Sequence, residues 1–160
     1  MHMASDEITI RWGAQANEKS AQGASDASRK IEQILLSANM RPTRQRLALV
    51  HLLFRNSEQH VTAEMVFEEA MKARIPVSLA TVYNTLNHLT EAGLLRSLSV
   101  DGTKTYFDTN ATAHHHFYFE NTHELLDIDD TEMSLAAMPK IPEGYEIARV
   151  DALVRLRKKV

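Results

Sequence analysis

His114-His115-His116 is a run of three imidazoles six residues past Asp108. In an extended chain side chains alternate, so His114 and His116 share one face and His115 takes the other. Two imidazoles on one face, with a carboxylate arriving from Asp108, make a donor set compatible with zinc, iron or manganese. His60, in a loop ahead of a helical stretch, is the candidate fourth ligand. A site built from His60, Asp108, His114 and His116 would bridge two parts of the chain. A histidine run is also compatible with a solvated patch, and His60 with a loop residue satisfied by its neighbours.

The composition makes histidine the residue to explain. The 160 residues include eight histidines and no cysteine. Disulfides, thiolate nucleophiles, cysteine zinc fingers and cysteine-held iron–sulfur clusters are therefore excluded. Any transition metal must be held by imidazole, carboxylate or weaker ligands. No Gly-rich phosphate loop, Gly-x-Ser-x-Gly or His-Glu-x-x-His occurs. A small metal-dependent hydrolase is thus the weaker reading, and the expectation is a protein without catalytic activity.

A second constellation lies on the stretch Ser78–Ala92. Opposite an apolar stripe of Leu79, Val82, Leu86 and Leu89, it presents Ala80, Thr81, Asn84, Asn87 and His88, with Tyr83 at the edge. Small residues allow close backbone approach, Asn pairs bidentately with adenine, and Thr or Tyr reaches a phosphate or thymine methyl. No arginine is on this face to fork onto guanine. Arg41, Arg44, Arg96 and Lys104 flank it as candidates for phosphates or a minor groove. The net charge of −3 speaks weakly against nucleic acid. Its distribution does not: Arg29, Lys30, Arg41, Arg44 and Arg46 stand against Glu32 alone between residues 29 and 46.

Four helices and several strands must position these groups. Residues 1–24 read as a polar arm with an apolar knot at Ile8, Ile10 and Trp12, docking through Trp12. From Ser25, Ile31, Ile34, Leu35 and Ala38 mark a helix ending before Pro42. Thr43 caps a second helix with Leu47, Val50, Leu53 and Phe54, broken at Asn56 and Ser57. Thr62 caps a third with Ala63, Val66, Phe67 and Ala70. Ser78 caps the fourth, which Gly93 stops. Leu94–Val100, the turn Asp101-Gly102 and Thr103–Asp108 read as a hairpin. Helix–turn–helix followed by a hairpin is the order of a winged helix, with Ser78–Ala92 in the DNA major groove and the hairpin as wing. Residues 109–113 form a hinge. Beyond it, His114–Glu120, Glu124–Ile128 and Tyr145–Arg157 read as strands, and Thr131–Met138 as a short helix. The expected fold class is α+β: an N-terminal winged helix-turn-helix domain (25–108) and a small C-terminal α/β dimerisation and sensing domain (114–160). So few residues build little core alone, which predicts a homodimer. No secretory signal or membrane-spanning stretch is visible, so a soluble, cytoplasmic protein with no membrane partner is expected.

Arg41-Pro-Thr-Arg-Gln-Arg46, His60-Val-Thr-Ala-Glu64, Ser78-Leu-Ala-Thr-Val-Tyr-Asn-Thr-Leu86, Glu91-Ala-Gly-Leu94, Lys104-Thr-Tyr-Phe-Asp108 and His114-His-His116 occur in that order. Over roughly residues 28–157 the chain resembles the ferric uptake regulator (Fur) family of dimeric, metal-sensing transcriptional regulators. The resemblance implies an interdomain sensing site at His60, Asp108 and His116, its fourth ligand absent or supplied by His114. It implies a second site at His115 that has lost most of its partners, a late histidine being replaced near Asp151. The family's cysteine-held structural zinc cannot exist here. Absence of cysteine with His114-His-His-Phe117 is similar to the iron response regulator (Irr) branch. That branch implies control of iron and haem genes, with haem weakening DNA binding. Imidazole is a normal haem ligand, so His114, His115 and His116 are candidates for haem as well as for Fe, Mn or Zn. The expected DNA contacts are Arg41, Arg44, Ser78, Ala80, Thr81, Tyr83, Asn84 and Lys104, on an AT-rich operator.

Overall fold

The computed structural model describes residues 26, 28–55, 59–129, 131–134 and 136–159. The expected N-terminal arm with Trp12, and the expected break at Asn56 and Ser57, lie outside the described residues. Helix α1 runs over 28–37, followed by α2 (Arg44–Phe54), β1 (His60–Val61), α3 (Ala63–Lys72) and α4 (Leu79–Glu91). Strands β2 (Arg96–Ser99), β3 (Thr105–Asp108), β4 (His115–Phe119), β5 (Glu124–Ile128) and β6 (Leu153–Leu156) complete an α+β chain.

Hydroxyls start three of the helices. Thr43, Thr62 and Ser78 accept from the amides of Arg46, Met65 and Thr81, giving orphan first-turn donors a partner. Left-handed residues stop α1, α3 and α4: Asn39, Arg74 and Gly93 have φ of 53°, 56° and 73°. After each, the next amide reaches back five residues, to Leu35, Ala70 and Leu89, in the Schellman pattern. The helices close over Leu35, Leu49, Leu53, Val82, Leu86, Leu89 and Phe107, all nearly or fully buried.

The sheets differ in topology. The first has the order β1-β3-β2 and is antiparallel; the second has the order β5-β4-β6, with β6 parallel to β4. Between them Val100 and Tyr106 pack on Tyr118, with Leu98, Leu125 and Leu153 alongside. The Tyr106 hydroxyl donates to the His123 carbonyl (2.9 Å), and the Arg155 guanidinium bonds the Val100 carbonyl. The β2–β3 hairpin is therefore fastened to the second sheet by both apolar and polar contacts.

Four elements depart from the sequence expectation. Residues 131–138 form no helix among the described residues; the turn that Asp129 Oδ1 closes by accepting from the Thr131 amide (2.8 Å) is not continued. The last strand is Leu153–Leu156 rather than 145–157, since β4 offers partners only from His116, opposite Leu153, to Phe119. In α4, Leu79 is exposed, while Thr85 is buried because its hydroxyl donates to the Thr81 carbonyl (2.8 Å). In α2 the buried residues are Leu49, Val50, Leu52 and Leu53, with Leu47 and Phe54 only partly covered.

A Cβ at Gly93 would meet nothing within 4 Å, so only the backbone resists it. Gly93→Ala is expected to cost about 1 kcal/mol. Arg74→Gly relieves the same strain and is expected to gain about 0.5 kcal/mol, net of the entropy a glycine adds to the unfolded chain. Urea midpoints at constant m-value read both; a gain in Gly93→Ala or a loss in Arg74→Gly would refute the assignment of these residues as left-handed helix stops.

Candidate metal centre

His60 and Asp108 face each other across β1 and β3, because the antiparallel register pairs them directly. His116 and Asp127 do the same across β4 and β5. His114, one residue ahead of β4, completes the group. One donor atom from each of these five residues lies within 4.8 Å of every other. His60 Nε2 is 2.9 Å from Asp127 Oδ1 and 3.6 Å from Asp108 Oδ2. His114 Nε2 is 2.9 Å from Asp108 Oδ2 and 3.2 Å from Asp127 Oδ1. His116 Nε2 stands 3.2 and 3.4 Å from the same two oxygens.

These distances suit hydrogen bonds, yet the directions mostly do not. His60 Nε2, His114 Nε2 and Asp127 Oδ1 are buried and have no hydrogen-bond partner. Buried polar atoms are rarely left so. Atoms that approach closely without aiming N–H at oxygen are arranged around a common point, as ligands of a cation are. Three imidazoles and two carboxylates form a donor set that suits Fe, Mn or Zn.

The electrostatics agree. Burial alone would raise the Asp108 carboxyl, but contacts with His116 and His60 and the Asn110 amide outweigh it. They hold the group well below the ordinary carboxylate range. Burial alone would lower His60, but its contacts with Asp108 and the charges of Asp108 and Asp127 raise it above the ordinary imidazole value. Two carboxylates at a largely buried place need positive charge there, from a proton or a metal.

Of the sequence candidates, His60, Asp108, His114 and His116 therefore meet in one cluster. His115 does not: it lies on the opposite side of β4, where its Nδ1 accepts from the Ala152 amide (3.2 Å). Asp127 was missed. Folding Phe119 onto Glu124 sets Asp127 opposite His116, so the hairpin register was the signal that pointed to it.

The second constellation also has a place. Ala80, Tyr83, Asn84, Asn87 and His88 are exposed on α4; Arg41 and Arg44, before and at the start of α2, and Lys104, between β2 and β3, are exposed as well. Ser78 and Thr81 bond each other through their hydroxyls at 2.9 Å at the start of that helix. Arg96 is the correction. Expected to reach phosphate, it is 4% exposed and points into the molecule, toward the Thr112 carbonyl, His114 Nδ1 (3.0 Å) and Asp151. Its register opposite Asp108 turns it inward.

Residues 37–154 match the ferric uptake regulator family. The chain belongs to that family. It is accordingly a metal-responsive transcription regulator and not an enzyme. It is 29% identical over 127 residues to the ferric uptake regulation protein of Pseudomonas aeruginosa, covering 78% of this chain and 95% of that one. A peroxide-responsive repressor of Staphylococcus epidermidis is 31% identical over 94 residues, 58% of this chain and 61% of that one. A structure of the Pseudomonas aeruginosa ferric uptake regulator with manganese superposes with a TM-score of 0.61 at 27% identity, over 79% of this chain and 96% of that one. The Vibrio cholerae regulator shares the fold at a TM-score of 0.63, with 19% identity and coverage of 79% and 98%.

A metal held by this cluster would compete with protons, and the sign follows from His60. Its contribution in the metal-free protein is present below the ordinary imidazole value, about 6.5, and is lost as pH rises through the raised folded value. Metal binding needs the neutral ring. Stability without metal should therefore fall, and Mn²⁺ affinity rise, as pH climbs past about 6.5. Urea unfolding with and without Mn²⁺ reads both; His60→Ala should flatten both slopes.

Proposed function

We propose that this Fur-family chain is a DNA-binding regulator of iron and haem genes whose operator affinity is set by a divalent cation held by His60, Asp108, His114, His116 and Asp127. The observation that carries the reading is the inward convergence of buried donor atoms, from two sheets, that lack hydrogen-bond partners. A cation there would supply the positive charge that two buried carboxylates call for.

The chain's own residues do the rest. His60 and Asp108 belong to the sheet that completes the helical part, and His116 and Asp127 to the second sheet. Drawing these donors together favours one angle between the two parts over others. In this reading residues 25–108 are a winged-helix DNA-binding domain, 109–113 the hinge, and 114–160 the sensing and dimerisation domain. Family members bind DNA and act as dimers. A dimer would present two α4 helices to successive major grooves of an AT-rich operator, with Ala80, Tyr83 and Asn84 at base edges. Ser78 and Thr81 would lie at the helix start, and Arg41, Arg44 and Lys104 near phosphates. Leu126, Met138, Ile141, Tyr145 and Ile147 are exposed apolar residues of the C-terminal part, which a second copy would cover. No helix among the described residues is long and apolar enough to cross a membrane, in keeping with a cytoplasmic place of action.

Asp127→Asn should reduce Mn²⁺ affinity by more than about tenfold and abolish the Mn²⁺ dependence of DNA binding. Binding itself should still fall steeply with salt. Isothermal titration and fluorescence anisotropy check the two effects. Unchanged metal response in both Asp127→Asn and His60→Ala would remove the cluster from the sensing role.

Haem control, by resemblance to the iron response regulator branch, is the second reading. It rests on His115, the half-buried member of the run outside the cluster, whose Nε2 remains as a ligand atom. A Soret shift on haem titration that survives Asp127→Asn and disappears in His115→Ala would support it. A shift lost only in His114 or His116 variants would assign haem to the cluster, and no shift would exclude haem.

A further inference from the structure

Tyr83 is the large aromatic side chain on the exposed face of α4, and it is not free to turn. Its hydroxyl donates to Glu64 Oε1 at 2.6 Å, from the fifth residue of α4 to the second of α3. The bond leaves marks on both groups. The Tyr83 bond first, then a backbone contact of Glu64, hold the Glu64 carboxyl below its ordinary range against the opposing effect of burial, with lesser help from the Thr62 hydroxyl and the charge of Lys104. The same bond, with some burial and the charge of Glu64, raises the Tyr83 phenol. The groups facing Glu64 therefore come from three places: Thr62 at the cap of α3, Tyr83 on α4, and Lys104 on the β2–β3 hairpin.

The charge is in an unexpected position. Glu64 is an exposed carboxylate beside Tyr83, on the side of the molecule that the proposed function turns toward a polyanion. Simple attraction to phosphate would disfavour it. Two physical consequences follow from keeping it. With its hydroxyl committed to Glu64, the phenol has no proton to offer a phosphate, so it presents the ring, which packs on a thymine methyl. Meanwhile the carboxylate repels backbone phosphate wherever no base contact compensates. Specificity is a difference of affinities, and a repulsive element widens it.

We propose that Glu64 is a specificity-determining residue of DNA recognition: it clasps the Tyr83 hydroxyl so that the ring reads a thymine methyl, and its charge penalises duplex bound without that contact. The proposal deepens the assignment of α4 to the major groove and rests on it.

The probe is a duplex selected from a random pool by the Mn²⁺-loaded wild-type protein, compared with a permuted duplex of the same composition. Each is also made with deoxyuridine in place of thymidine, which deletes the methyl alone. Affinities are read by anisotropy at fixed salt. For Glu64→Ala, affinity for the permuted duplex should rise about threefold, with a salt slope steeper by about one ion, while the selected-to-permuted ratio falls about tenfold. The deoxyuridine penalty seen in wild type should shrink. Tyr83→Phe keeps the ring and the carboxylate, so its permuted affinity should stay unchanged while its deoxyuridine penalty shrinks. The two substitutions together should be less than additive on the selected duplex. Glu68→Gln, on the same helix, removes a charge without touching Tyr83 and should leave the ratio unchanged.

A merely structural role would move none of the deoxyuridine differences. Should Glu64→Ala fold poorly, Glu64→Gln keeps the acceptor and loses the charge, so it should raise permuted affinity while retaining the thymine penalty. The proposal is overturned if Glu64→Ala and Tyr83→Phe both keep the wild-type ratio and deoxyuridine penalty. The α4 assignment beneath it fails separately, if Tyr83→Ala, Asn84→Ala and wild type bind the selected duplex alike.

Discussion

A carboxylate with no exposure to water sits at the end of β3. Asp108 is fully buried, and an isolated charge there would cost several kcal/mol. What surrounds it is best understood as the answer to that cost. The register of β3 sets His60 on one side of Asp108 and Arg96 on the other. The Asn110 amide donates to it at 2.8 Å. The second sheet then delivers His114 and His116 to within 2.9 and 3.2 Å. Polar demand at one atom thus draws strands of both sheets together.

The same demand organises the neighbourhood beyond the cluster. Arg96 leaves β2 for the interior, where it meets the backbone at Thr112, the ring of His114 and the carboxylate of Asp151. Asp151 precedes β6, whose parallel pairing to β4 starts at His116. One buried guanidinium on the hairpin therefore touches the linker, a histidine of the cluster and the residues leading into the last strand. Further along the hairpin, Tyr106, Tyr118 and His123 make a second attachment, an apolar contact edged by hydrogen bonds. An arrangement held at two places, only one of which is a cluster of charged groups, can change at that one without coming apart at the other. This is the property a regulator controlled by a charged ligand requires.

Much of the helical part was legible because its signals are local. Thr43, Thr62 and Ser78 cap through amides three residues on, and the alternation of apolar residues in α3 reports its buried face directly. The errors were local rules overridden by neighbours. The turn at Asp129 was not continued into a helix; β4 ran out of partners, so the last strand was short. Thr85 satisfied its hydroxyl within its own helix and took a place in the core that Leu79 had been given. Arg96, read as a surface cation of a wing, was turned inward by a register that no spacing within its own strand reveals.

Sequence alone determined the donor chemistry, since a chain with eight histidines and no cysteine can offer a metal no thiolate, only imidazole, carboxylate or weaker ligands. It also determined that His114 and His116 stand apart from His115, because that follows from strand periodicity. Tertiary structure decided which carboxylates join them. Asp108 was close enough in sequence to be suspected, but Asp127 reaches the cluster only when Phe119 folds onto Glu124, and His60 only when β1 pairs with β3. It also decided that Glu64 would meet Tyr83 across two helices. Contacts of this kind depend on strand register and helix packing, which are settled by the burial of whole faces rather than by any one residue's type.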